Sequence, residues 1–433
     1  MRRPARHGAL GALGALCEAL TRPRSLRGAT RSRASRGGIA LLVVVTTMLI
    51  LTVLVTELSY GASVRLMVAT HQRDRAQATW LARSGVNMYR LVLMASKQLE
   101  SQLKNIPASM IGGEEGQTLN DMLGGDTLWQ LIPSLNTGIL RMLFTSGGDV
   151  SDISDEDAAA FRSTGRVSDE IAAESRDGGR FSDKNFLDFD GDFSADVTNE
   201  ERRINVNRLA SHDTSQTIQS DTTALQLYGL MTGTENDEWF RERNLDPWDL
   251  IANLADWVDA DNSGCGPRGG YEDNLYSRLP DPYKVKNAPF DTLEEIRMVD
   301  GWQDEVYDRF KDDLTVWGSG KIHLASASES MVYGLLRANI TNRVPSDSEL
   351  HELYLKMQRE GALYMKGKAF VEYLTNLGYE LKPGMSSIFT TSSRTFTVTS
   401  TGMVNDSAAT ITAVLDYSSS GSVGGKVLYW REE

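Results

Sequence analysis

Arg36-Gly37-Gly38-Ile39-Ala40-Leu41-Leu42-Val43-Val44-Val45-Thr46-Thr47-Met48-Leu49-Ile50-Leu51-Thr52-Val53-Leu54-Val55-Thr56 is the stretch on which the fold turns. The 18 residues from Ile39 to Thr56 carry no formal charge; Glu57 is the first charge and Arg65 the next. At a rise of about 1.5 Å per residue, such a run crosses most of a bilayer core of about 30 Å. Residues 1–38 hold nine Arg against the single Glu18. The positive-inside rule therefore predicts a cytoplasmic leader and export of everything after the helix. A cleavable secretory signal has a small-x-small site after its apolar run. Here the small pair Gly37-Gly38 precedes the run, which leads on into further helix. A plain signal anchor satisfies the same hydropathy.

The position of Gly38, at the border between basic leader and apolar helix, resembles the processing site of type IV prepilins and pseudopilins. The resemblance implies cleavage by a prepilin peptidase between Gly38 and Ile39 and N-methylation of Ile39. It also implies a fifth mature position at Val43, where most pilin-like subunits have Glu. A lone carboxylate in hydrocarbon is costly unless paired, and in that family it is thought to meet the terminal amine of the subunit above. A subunit with nothing above it has no amine to neutralise. Val43 thus points to the tip of a fibre, or to an ordinary apolar position in an anchor.

Working outward, Leu66, Ala69, Ala76, Trp80, Ser84, Met88, Leu91 and Met94 recur roughly at helical spacing. The spacing predicts one helix from Ile39 to about Leu103, its first half in lipid and its second half packed on a globular domain, with Gly85 tolerated at modest cost. At 433 residues the chain has room for two or three domains. Nine Arg less one Glu give the leader +8, so the remaining residues carry −21 of a net −13. A mature part that acidic is a poor partner for nucleic acid. It suits soluble exposure or divalent cations. Cys17 would leave with the leader, so Cys265 has no disulfide partner and no chemistry is assigned to it.

Between 104 and about 180, Gly112-Gly113, Gly124-Gly125, Gly147-Gly148 and Gly178-Gly179 punctuate short apolar segments, predicting short elements and loops. Asp188, Asp190 and Asp192 then stand at two-residue spacing around Gly191. Calcium loops use that spacing because alternate residues converge on a hard cation that takes six to eight oxygens. The full twelve-residue loop is absent, and a solvated acidic turn is the competing reading. Ala195-Asp196-Val197 and Arg203 to Asn207 alternate like a strand. From Ala210 to about Lys382 the pattern is helical, over Asp221–Met231, Pro247–Trp257, Leu293–Val299, Glu305–Phe310, Glu329–Ala338 and Ser348–Leu377. Within it, Asp259 and Asp261 open a Gly-rich loop that returns through Glu272 and Asp273. Four carboxylates closing one loop repel each other unless a cation or backbone amides neutralise them. Oxygen-only ligands select calcium rather than zinc, and the alternative is an acidic surface loop. After Ser393, Thr395–Thr399, Ala409–Leu415 and Val427–Trp430 alternate as three strands of a meander.

The ordered set Asp256-Trp257-Val258-Asp259-Ala260-Asp261, Gly269-Gly270-Tyr271-Glu272-Asp273, Tyr276, Pro282–Pro289 and Thr292–Trp302 resembles the GspK family. These are the large minor pseudopilins of type II secretion. Lys321–Ala327 fits as well, with His323 and Ala325 departing from the family's Asn-rich version. Thr292–Phe310 and Lys321–Leu336 also resemble helix-hairpin-helix units, read as packing modules because the surroundings are acidic and only Gly301 of the glycine hairpin remains. The resemblance implies an α+β, pilin-like fold: a long N-terminal helix on an antiparallel sheet, with a large inserted α-helical (helix-hairpin-helix or SAM-like) domain. Expected segments are leader 1–38, transmembrane 39–64, pilin-like 65–209, helical insertion 210–385 and closing strands 386–433.

No nucleotide loop, zinc-protease helix or Gly-x-Ser-x-Gly elbow is present; Gly421–Lys426 lacks the spacing and His351-Glu352 lacks a second His. The chain is read as no enzyme. The resemblance implies a non-catalytic tip subunit, anchored by one pass in the inner membrane with its bulk in the periplasm. Implied partners are the I- and J-type minor pseudopilins, the H-type as a further candidate, the prepilin peptidase and the inner-membrane secretion platform. It also implies structural calcium at Asp259, Asp261, Glu272 and Asp273, with Asp188, Asp190 and Asp192 a second site. A type IV pilus minor pilin or adhesin, and a signal-anchored periplasmic binding protein, are the alternatives.

Overall fold

A computed structural model of the chain describes residues 36–103, 129, 134–138, 190–211, 217–265, 276–418 and 424–433. The chain divides into two compact units, Met1–Thr70 and His71–Glu433. Helix α1 (Arg36–Leu103) contributes to both. Its apolar first part is long and apolar enough to cross a membrane, and none of that window is buried within the chain. The Thr46, Thr47 and Thr52 hydroxyls there donate to carbonyls one turn back, at 2.7–2.9 Å. An apolar span can carry hydroxyls only when they are satisfied in this way.

In the second unit the buried residues of α1 are Asp74, Ala78, Ala82, Gly85, Val86, Tyr89, Leu93, Ser96 and Glu100. Apart from the adjacent Gly85 and Val86, they recur every three or four positions, as one face of a helix must. This is not the face expected from hydropathy. Trp80 is 65% exposed and Leu91 54% exposed, while Ala78 and Ala82 are fully buried. The reason is a close approach of two backbones. A Cβ on Gly402 would stand 2.0 Å from the Ala78 carbonyl oxygen and 2.7 Å from the Ala82 nitrogen. One on Gly85 would meet Ser400 Oγ at 2.2 Å. Only small residues fit there, so Gly85 is a packing requirement.

The sheet under this helix contains strands β1 (Ser134–Asn136) and β2 (Asp192–Asn199) and the C-terminal meander. Chain order continues through β3 (Ile204–Asn205) and the helices α2 (Thr222–Met231), α3 (Thr234–Arg243), α4 (Pro247–Val258) and α5 (Asp304–Phe310). Strands β4 (Leu314–Thr315) and β5 (Ile322–His323) follow. Next come helices α6 (Glu329–Asn339), α7 (Asp347–Arg359) and α8 (Gly367–Asn376). The chain closes with β6 (Phe389–Thr390), β7 (Thr395–Val404), β8 (Ser407–Asp416) and β9 (Lys426–Glu432). The main sheet runs β1-β2-β7-β8-β9 and is antiparallel throughout, with Val197 opposite Val398 and Val398 opposite Ala413. Asn405, at φ +50°, turns β7 into β8. The chain is therefore α+β, a long N-terminal helix on an antiparallel sheet with further helices.

Two expected elements differ. Arg203–Asn207 yields only the two-residue β3, parallel to β4. Its asparagines are engaged locally: Asn205 Nδ2 donates to the Gly318 carbonyl, and Asn207 Nδ2 to those of Phe290 and Val316. Ser348–Leu377 is two helices, because Gly361 takes φ +68° and ends the first. The Gly-pair region falls almost wholly outside the described residues. The helical elements share one core, with Trp302 fully buried and its indole N–H donating to the Leu250 carbonyl at 2.9 Å.

Candidate metal centre

Helix α4 starts where Asp246 accepts the Trp248 amide at 2.8 Å and Pro247 takes the first turn. Its inner face buries Leu250, Ile251, Leu254, Ala255, Trp257 and Val258, and Trp257 stacks on Phe290 with ring centres 6.4 Å apart. This packing fixes the end of the helix, and with it Asp256 and Asp259. The Asp259 amide still donates to the Ala255 carbonyl at 3.0 Å. Both carboxylates are buried, at 6% and 4% exposure. A helix C-terminus carries partial negative charge, so two buried carboxylates there are held against the local field.

The loop after α4 folds back on them. The Cys265 amide donates to Asp256 Oδ1 at 2.6 Å, and the thiol lies 3.6 Å from Asp259 Oδ2. One ligand atom from each of Asp256, Asp259 and Cys265 falls within 4.8 Å of the others, the one such group among the described residues. Asp261 caps the Ser263 amide at 2.7 Å. Asn287, at φ +47°, donates from Nδ2 to the Asp261 carbonyl and, at 3.0 Å, to Asn262 Oδ1. In this loop and its Asn287 contact, two buried oxygens lack any hydrogen-bond partner, Asp259 Oδ1 and Asn287 Oδ1. Burial first, then repulsion from Asp261 and Asp256, pushes the Asp259 carboxyl up to about 6. Burial, then the nearby Asp256 and Asp259, drives the Cys265 thiol well above its ordinary range, so the sulfur stays protonated.

The structure thus brings Asp259 and Asp261 together. Glu272 and Asp273 lie outside the described residues. Sequence reasoning missed Asp256 and Asn287. Asp256 sits one helical turn before Asp259, a spacing that could have signalled it; Asn287 is 26 residues from Asp261, and nothing local could. Asp188 also lies outside the described residues. Asp190 is exposed, and Asp192 opens β2 opposite Met403, with Gly191 between them at φ +104°. At the N-terminus, Gly38 and Ile39 fall in the first turn of α1. Val43 is exposed, its carbonyl accepting the Thr46 and Thr47 hydroxyls at 3.0 and 2.8 Å.

Residues 202–319, which include the acidic loop and its Asn287 strap, match the family model for type II secretion system (T2SS) protein K. A curated relative, the type II secretion system protein K of Pectobacterium carotovorum subsp. carotovorum, is 27% identical over 120 residues. That match covers 28% of this chain and about a third (34%) of the relative. Among solved structures, the GspK-GspI-GspJ complex from the enterotoxigenic Escherichia coli type 2 secretion system is similar at 16% identity and a TM-score of 0.38. It covers 56% of this chain and 80% of the matched one. The segment 202–319, about a quarter of the chain, is thus where this protein is similar to type II secretion system protein K.

Proposed function

We propose that this chain is a minor pseudopilin of a type II secretion system, processed after Gly38, methylated on Ile39 and seated at the tip of a periplasmic pseudopilus. The observation that carries this reading is the family match over 202–319, on a chain whose N-terminal helix is apolar enough to span a bilayer and then packs on a sheet. The basic leader supports an inner-membrane anchor with the bulk of the chain in the periplasm. Val43 supports a position with no subunit above. The work is mechanical: the tip starts fibre assembly, and the fibre moves folded proteins across the outer membrane. The matched solved chain belongs to a GspK-GspI-GspJ complex; the I- and J-type minor pseudopilins are the proposed partners here, with the prepilin peptidase and the inner-membrane platform upstream.

Calcium fits the loop after α4. The unpartnered Asp259 Oδ1 and Asn287 Oδ1 and the buried Asp256 are hard oxygen donors, and Asp261 is beside them. Glu272 and Asp273 would complete the set. Bound there, the ion would offset the burial and the repulsion that now raise Asp259 and would tie the end of α4 to the Asn287 strap. The Cys265 sulfur, a soft ligand, is not counted in such a hard-oxygen set. Purification of the tagged chain from native membranes, followed by mass spectrometry of what accompanies it, tests the reading. Secretion-type I and J subunits are expected. Pilus-type minor subunits, or none of similar architecture, would contradict it.

A further inference from the structure

The second unit holds two separate apolar cores, one under α1 and one among the helices. Besides the Trp317–Tyr429 ring contact, a buried polar layer lies between them. Asn199, Glu200, Glu201, Thr315, His323, Ser393 and Thr395 are all buried. Asn199, at the end of β2, donates to Ser326 Oγ at 3.1 Å and to Ser393 Oγ, and its Oδ1 accepts the Glu201 amide at 2.8 Å. Glu200 is fully engaged: it accepts Thr397 Oγ1 at 2.6 Å, Arg203 Nη1 at 3.1 Å and the Thr315 hydroxyl.

Glu201 is not. It is 2% exposed, its Oε2 accepts the Thr395 amide at 3.1 Å, and its Oε1 is buried with no partner. The Gly318 turn of the helical part closes over it: a Cβ on Gly318, at φ +90°, would stand 3.6 Å from Glu201 Oε1 and from Thr395 Oγ1. The charged and titratable groups on the elements around it include Glu200, Arg202 and Arg203 on its own turn, Asp312 and Asp313 facing Arg202 ahead of β4, Arg208 and Lys321 at the Gly318–Gly320 turn, Arg394 ahead of β7, His323 on β5, and Lys97 and Glu100 on α1. Arg203 pairs with Glu200, and Lys97 with Glu100 at 2.9 Å. Among the described residues no cation pairs with Glu201.

We propose that Glu201 is a protonation latch between the sheet and the helical insertion: protonated, it lets the start of β7 and the Gly318 turn close on it; ionised, it loosens both. A buried neutral acid with one empty oxygen is a modest defect, whereas a buried carboxylate with no cation is a severe one. Burial accordingly pushes the Glu201 carboxyl up to about 7, against the opposing pull of its hydrogen bonds from Thr395 and Arg394. The folded state holds this proton more tightly than the unfolded chain does. Closure is therefore strongest below the ordinary carboxylate range and weakens as pH rises to neutral and beyond.

Hydrogen–deuterium exchange on the full chain in detergent, corrected for the intrinsic pH dependence, reads the latch directly. Between about pH 6 and about pH 8, protection of the Thr395 amide and of the Gly318–Lys321 segment is expected to fall on the order of tenfold, following the ionised fraction. Glu201→Gln, which cannot ionise, should hold that protection flat, and His323→Gln should leave the fall in place. A flat wild type, a fall that survives in Glu201→Gln, or one abolished in His323→Gln would overturn the latch. Infrared pH-difference spectra give a second readout: a protonated-carboxyl band lost near neutral pH in the wild type and missing from Glu201→Gln supports the proposal, whereas identical spectra of the two contradict it; the Asp259 carboxyl, pushed up to about 6, contributes equally to both.

Discussion

The two cores of the second unit solve the same problem by opposite means. Under α1, contact is made by proximity: Ala78, Ala82 and Gly85 let the helix lie on β7 at Gly402, with backbone almost touching backbone. In the helical part contact is made by bulk: Trp257, Tyr276, Phe290, Trp302, Phe310 and Phe370 fill the space between elements. An exposed Trp80 thus sits two residues from the buried Ala78 and Ala82, on the opposite face of the same helix. What decides the inner face is the distance a neighbour demands, and hydropathy comes second.

If that contrast is right, removing bulk should hurt one core and adding it should hurt the other. Trp302→Ala opens a cavity beside Leu250 and leaves its carbonyl without the indole donor. A loss of about 4 kcal/mol is expected in denaturant unfolding. A loss under about 1 kcal/mol would show that this core can collapse and is not packed by bulk. Gly402→Val puts a branched side chain where the Ala78 carbonyl and Ala82 amide already stand. It should cost about 3 kcal/mol, read as a lowered midpoint and raised exchange in α1 after His71. A neutral result would mean the helix can lift from β7 without cost.

The loop after α4 differs from both cores, because there buried carboxylates rather than apolar groups meet at the end of a helix. With calcium at a hundredfold excess over its Kd, chelation at neutral pH should remove about 2.7 kcal/mol, with exchange rising at Asn287. The effect should shrink at about pH 5, since the Asp259 carboxyl, pushed up to about 6, then carries a proton that competes with the ion. Equal thermal unfolding with and without calcium at neutral pH would sink the metal reading. The smallest effect belongs to Trp80→Ala. Despite its size Trp80 is mostly solvent-facing, so stability should change by no more than about 0.5 kcal/mol. A loss of several times that would mean the exposed face of α1 is packed after all.

Much of this architecture can be read from the residues. Asp221, Asp246, Ser328 and Ser346 stand just ahead of apolar-periodic segments, and all four cap the helices that follow. The alternating Thr395–Val404 and Ser407–Asp416 segments pair in register along their length. Helix α3 escaped notice because Phe240 is its one buried side chain, so there is no apolar period to see. The inner face of α1 escaped because Ala and Gly carry little hydropathy, and their role exists only once Gly402 is opposite. At the candidate site, Asp259 and Asp261 were legible as neighbours in a loop. Asp256 was hidden as a helical residue, and Asn287 by the 26 residues of chain that separate it from Asp261.

The central claim, that this is a pilin-like tip subunit, meets its most direct test at the N-terminus. The mass of the mature N-terminal peptide from membranes of the native host should correspond to a chain beginning at methylated Ile39. An intact leader, or cleavage beyond Val64, would contradict the account and leave the acidic loop to be read as part of a free-standing binding protein.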